Sequence, residues 1–118
     1  RIERTSGTSV INTAHDGIDL GYLKPLVQRC NVLVTNDTGP RHYAVAFRIP
    51  HVVLIGPTNP VYTQSHVEDA VILRGDADCA PCHLKTCPRD HRCMTGISAE
   101  QVYRAVCDLL KKQRVAAC

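Results

Sequence analysis

Asp37-Thr38-Gly39-Pro40-Arg41-His42 gathers in six residues the groups that a bound phosphate requires. An apolar run, Val32-Leu33-Val34, leads into it, and a helical stretch, Tyr43-Ala44-Val45-Ala46-Phe47, leads out. Where a strand stops at a glycine turn and the chain resumes as a helix, the first N–H groups of that helix have no partner within it. Their partial positive charge favours an anion. Thr38 and Gly39 would offer main-chain N–H groups, and Thr38 adds a hydroxyl. Gly39 would permit close approach of a ligand and a positive φ. Asp37 repels phosphate, so it suits sugar hydroxyls or a helix cap instead. His42, in the first helical turn, can reach the same anion. The plain alternative is a cap at Asp37 and an ordinary surface histidine at His42. One helix start gains only about 0.3–1 kcal/mol from an anion, so further contacts are needed for useful affinity.

Gly56-Pro57-Thr58 closes the next apolar run, Val52 to Ile55, in the same way. Gly56 would allow tight passage, while Thr58 and Asn59 supply polar side chains; an ordinary turn is the alternative. Tyr62, Thr63, Gln64 and His66 follow in a loop that could face the same cleft. Two glycine turns after neighbouring strands point to a nucleotide or sugar-phosphate site.

Cys79, Cys82, Cys87 and Cys93 lie within fifteen residues, with His83 and His91 between them. No charged-then-apolar leader is seen, and outside a secretory context close thiols more often hold metal than form disulfides. Zinc held by these four thiolates, or by three and a histidine, is one expectation. Disulfide staples and reduced, packed thiols are the others. Cys30 and Cys107 fall on apolar helix faces and read as core, Cys118 has no assignable role, and His15 and His51 read as structural.

The elements that would position these groups are short. Leu23, Leu26, Val27 and Cys30 are spaced for a helix over Leu20 to Cys30. Pro25 fits best in a first turn, which predicts a start near Tyr22. Strands are expected at Val32–Thr35, Val52–Ile55 and Ala70–Leu73, and a helix from Pro40 to about Arg48. Arg74 to Thr95 reads as a cysteine-rich loop. Ser98 and Gln101 form a capping box for a last helix, about 98–113, with Val102, Val106, Leu109 and Leu110 as its apolar stripe. Alternating strands and helices predict an α/β fold, a Rossmann-like parallel sheet flanked by helices. Ligands of such sheets sit beyond the carboxyl ends of the strands.

Composition agrees. The chain has 118 residues, 44% apolar, with four tyrosines, one phenylalanine and no tryptophan. Its core must be aliphatic, as in parallel sheets covered on both faces. Few aromatic rings and a net charge of +3 give little support to nucleic-acid binding. Apolar runs of about five residues are too short to span a membrane. Arg1 is not an initiator methionine, and Val10-Ile11-Asn12 reads as the end of a strand whose partners lie upstream. The chain is therefore expected to be a piece of a larger protein.

Together, the Asp37–His42 turn, Ile49-Pro50, Gly56-Pro57-Thr58 and the cysteine loop ending Cys93-Met94-Thr95-Gly96-Ile97 resemble glycosyltransferase family 9, over about Val10 to Leu110. Within it the chain looks most like the ADP-heptose:lipopolysaccharide heptosyltransferases, particularly the type II enzymes. The resemblance implies the C-terminal, donor-binding part of an inverting GT-B enzyme. Such an enzyme is cytoplasmic or at the inner face of the inner membrane, and transfers heptose from ADP-heptose to the lipopolysaccharide inner core without a catalytic metal. Thr38 and Gly39 would hold the pyrophosphate beside His42, and Asp37 would meet the sugar. The general base and the acceptor surface would lie before Arg1, so these residues alone are expected to bind donor weakly and not turn over. Substituting Asp37 is expected to cost activity far more than stability. The rivals are another GT-B nucleotide-sugar enzyme and a zinc-stapled phosphate-binding or interaction module.

Overall fold

A computed structural model describes residues 7–13, 15–63 and 69–116. Gln64, His66 and Cys118 lie outside the described residues, as do the side chains of Tyr62 and Thr63. Helix α1 spans Leu20–Gln28 and leads to strand β1, Leu33–Asn36. Helix α2, Gly39–Ala46, connects β1 to β2, His51–Ile55. A 3-10 turn at Pro60–Thr63 precedes β3, Ala70–Arg74; a short helix α3, Arg92–Thr95, and the long helix α4, Ala99–Ala116, complete the order. The three strands form one parallel sheet in the order β1-β2-β3, with Leu33 beside His51 and His51 beside Ala70.

The central strand explains why this sheet needs two layers of cover. His51, Val52, Val53 and Ile55 are all buried, although neighbours along a strand point to opposite faces. On one face Val52 packs with Ala105 and Leu109 of α4, and Leu54, Val71, Leu73, Val102 and Val106 close around them. Helix α2 lies against β1 and β2, and α1 lies against α2, where the Lys24 ammonium sits 5.8 Å from the Tyr43 ring centre. His51 enters this core at 2% exposure with Nδ1 2.9 Å from the Ile49 carbonyl oxygen. That geometry requires the proton on Nδ1. Nε2 has no hydrogen-bond partner among the described residues, in keeping with a packed rather than a reactive imidazole.

The capping box forms as expected. The Ser98 N–H donates to Gln101 Oε1 at 2.7 Å, and the Gln101 N–H donates to Ser98 Oγ at 3.2 Å. Two expectations need correction. Helix α1 starts at Leu20, not near Tyr22, because Asp19 Oδ1 accepts the Tyr22 N–H at 3.0 Å and caps it there. Pro25 therefore sits in the second turn, where it leaves the Gly21 carbonyl without a helical donor; Gly21 is exposed, so water can serve it. Val10 to Asn12 form no strand, and Ile11 is 90% exposed with no sheet edge to pack on.

Helix α2 ends in paired bonds from the Arg48 N–H to the Val45 carbonyl and from the Ile49 N–H to the Ala44 carbonyl. This closure places Arg48 at φ 55°, a left-handed conformation that glycine adopts without strain. Arg48→Gly should therefore raise unfolding stability by about 1 kcal/mol, measured by chemical denaturation.

Candidate functional site

The two glycine turns prove to be different objects. At the first, Thr38 is extended (φ −138°, ψ 178°), and α2 begins at Gly39 with Pro40 in its first turn. Thr38, Gly39 and His42 are exposed, and a Cβ built on Gly39 would meet nothing within 4 Å. The Thr38 N–H is already given to the Asn36 carbonyl at 2.8 Å, and its hydroxyl leans toward the same oxygen at 3.4 Å. Gly39 is thus the residue whose N–H opens the helix beside free space. The positive φ expected there is not found, because Gly39 already has helical geometry; among the described residues the positive-φ glycines are Gly7 and Gly17.

At the second turn, a Cβ on Gly56 would stand 2.8 Å from Met94 Sδ and 2.9 Å from Met94 Cγ. Gly56 is buried and lacks a side chain so that the cysteine-rich segment can pack upon it, not so that a ligand can pass. The same segment is secured by the His83 N–H, which donates to the Pro57 carbonyl at 2.9 Å. Its α3 helix also presses on Gly75, where a Cβ would lie 2.6 Å from the Cys93 carbonyl oxygen. The carboxyl ends of β2 and β3 are therefore capped by protein, and among the described residues nothing covers Gly39 after β1.

Asp37 lies between the two turns, and both of its oxygens are engaged. Oδ1 accepts from Arg41 Nη1 at 2.9 Å, and Oδ2 accepts from Thr58 Oγ1 at 2.9 Å. Arg41, a charged residue, is only 1% exposed. The one signal in the residues that could have found it is the i, i+4 spacing of Asp37 and Arg41, which suits an ion pair at a helix start. A buried guanidinium stripped of its counter-charge is strongly destabilising. Asp37→Ala removes one ion pair and two hydrogen bonds, so it should cost about 1.5–3 kcal/mol of unfolding stability, measured by chemical denaturation, and lost activity would not by itself report a sugar contact.

Cys79, Cys82, Cys87 and Cys93 all line one cavity of about 100 Å³, together with Pro57 and Met94. They are free thiols, so the disulfide alternative is not realised here. The cavity does not draw them into a ligand set: among the described residues no three His, Cys, Asp or Glu side chains stand together as a metal site. Cys93 is buried and the other three are half-buried. Ion pairs brace the segment from outside. Arg89 Nη1 reaches both Asp78 oxygens at 2.9 and 3.1 Å, and Arg92 holds both Asp90 oxygens at 3.1 Å. The Arg89 hydrogen bond and charge hold the Asp78 carboxyl below its ordinary value, as Arg92 does for Asp90. A depressed carboxyl contributes stability above its unfolded pKa, and that contribution is lost as pH falls through the folded value. Amide exchange in residues 78–92 should therefore accelerate relative to α4 once the pH drops below about 3.8, the reference value for Asp78.

Comparison with known proteins bears on the same residues. The family model described as "Glycosyltransferase family 9 (heptosyltransferase)" matches residues 17–92, which include both glycine turns and three of the four loop cysteines. The chain is similar to lipooligosaccharide heptosyltransferase 2 of Campylobacter jejuni, at 34% identity over 90 residues, 73% of this chain and 28% of that protein. It is 37% identical over 70 residues to lipopolysaccharide heptosyltransferase 1 of Pseudomonas aeruginosa, covering 59% of this chain and 20% of that protein. Against lipopolysaccharide heptosyltransferase 2 of Escherichia coli it is 39% identical over 49 residues, 42% of this chain and 14% of that protein. The chain thus spans well under a third of these relatives' length. No solved structure matches it. No helix among the described residues is long and apolar enough to cross a membrane.

Proposed function

The chain belongs to glycosyltransferase family 9, and from that premise we propose that it is the donor-binding portion of a heptosyltransferase acting in lipopolysaccharide assembly. The single observation that carries this reading is the open turn at Gly39: a helix start facing free space at the carboxyl end of a parallel strand. There the helix dipole and the Gly39 N–H receive one phosphate oxygen, and the exposed His42 imidazole stands one turn further along the helix. In the intact enzyme, within a GT-B arrangement, this group takes the diphosphate of ADP-heptose. It stabilises charge that grows on the departing diphosphate, so it acts more strongly on the transition state than on the bound donor. The acceptor is the lipopolysaccharide inner core, met at the inner face of the inner membrane. The base that deprotonates its hydroxyl belongs to the N-terminal part of the enzyme.

The hydrogen bonds of Asp37 and the packing of Gly56 shape this reading of donor binding. Asp37 meets the sugar only through lone pairs left over from Arg41 and Thr58, and Gly56 plays no direct part. A rival donor remains the natural competitor, and calorimetric titration of the intact enzyme with ADP-, UDP- and GDP-sugars separates the two; preference for a UDP- or GDP-sugar would overturn the ADP-heptose assignment.

Gly39 offers a sharper test. Its backbone is helical and its Cβ position is empty, so Gly39→Ala should leave the fold intact and gain up to about 1 kcal/mol of helix propensity. The added methyl occupies the space over the N–H. Donor affinity should fall at least tenfold while the unfolding midpoint holds or rises. Unchanged affinity would place the diphosphate elsewhere.

A further inference from the structure

We propose that Thr58 is a positioning residue that acts on the ligand through Asp37, not a phosphate contact in its own right. The proposal rests on the donor-site reading above and deepens it.

The Thr58 hydroxyl has one hydrogen, and the structure commits it to Asp37 Oδ2 at 2.9 Å. It has none left to donate to a phosphate oxygen. Asp37 is 21 residues away in sequence and belongs to the other turn, so this bond ties the end of β1 to the end of β2. The opposite oxygen of Asp37 is held by Arg41 Nη1 at 2.9 Å, from the first turn of α2. With both oxygens fixed, the Asp37 side chain has little freedom to rotate. Two residues further on stands Gly39, exposed at the start of α2 with nothing within 4 Å of its Cβ position. The β2 end of the strut is itself anchored, because Met94 packs on Gly56 and the His83 N–H binds the Pro57 carbonyl. Anchored segment, second turn, carboxylate and helix start thus form one continuous chain of contacts. Its product is a fixed position for the Gly39 N–H. An anion site of few donors gains most from such fixing, since a donor already in place pays no ordering cost on binding.

Thr58→Val keeps the shape of the half-buried side chain and removes only the hydroxyl, whereas Thr58→Ser keeps the hydroxyl. Both variants, made in the full-length enzyme, are examined with and without ligand, using ADP alone as the calorimetric probe. In ligand-free protein the Gly39 amide resonance should shift and its hydrogen exchange should quicken in Thr58→Val, and return toward wild type in Thr58→Ser. ADP affinity should fall about tenfold in Thr58→Val and recover in Thr58→Ser. A tenfold loss with the ligand-free Gly39 signal unmoved would mean direct contact and overturn the proposal, as would unchanged affinity. If wild-type enzyme binds no ADP, the donor reading fails by itself. The positioning role then stands or falls on the Gly39 resonance alone.

Discussion

A guanidinium buried to 1% exposure needs an opposite charge beside it, and the site is arranged around that requirement. Arg41 lies in the first turn of α2, so the charge that answers it must come from the end of β1, and Asp37 is the residue placed there. Once the carboxylate is held by one oxygen, the other is available to reach across to Thr58. The bend between β1 and α2 is therefore fixed by electrostatics within the protein before any ligand arrives. Removing either partner takes from the other the ion pair that holds it.

The carboxylate of Asp37 is committed within the protein. Asp37 faces inward, toward Arg41, while Gly39 faces outward, into free space. The negative charge is neutralised by its buried partner, which lessens its repulsion of a phosphate close by. The parallel sheet supplies the remaining geometry. Its three strands end on one side, and the cysteine-rich segment covers two of those ends through Gly56 and Gly75.

Much of the fold was legible in the residues themselves. Runs of β-branched and aliphatic residues marked all three strands to within a residue, and Ser98 with Gln101 announced the helix that covers the sheet. The first turn was legible because Gly39-Pro40 can serve little else between a strand and a helix. Three features were not. Gly56 looks the same in a sequence whether the room it leaves is for a ligand or for Met94, and only the folded chain brings Met94 to it. The burial of Arg41 has no local sign, because nothing in its neighbouring residues shows that the turn folds over it. The closeness of the four thiols in the chain suggested metal, but lining one cavity is weaker than converging on a point, and closeness along the chain cannot distinguish the two.

The coverage of β2 and β3 by the cysteine-rich segment has a directional consequence. Among the described residues the carboxyl ends of β2 and β3 are covered by protein while Thr38 and Gly39, after β1, are exposed, so anything settling beside Gly39 would have the packed cysteine-rich side as one of its walls.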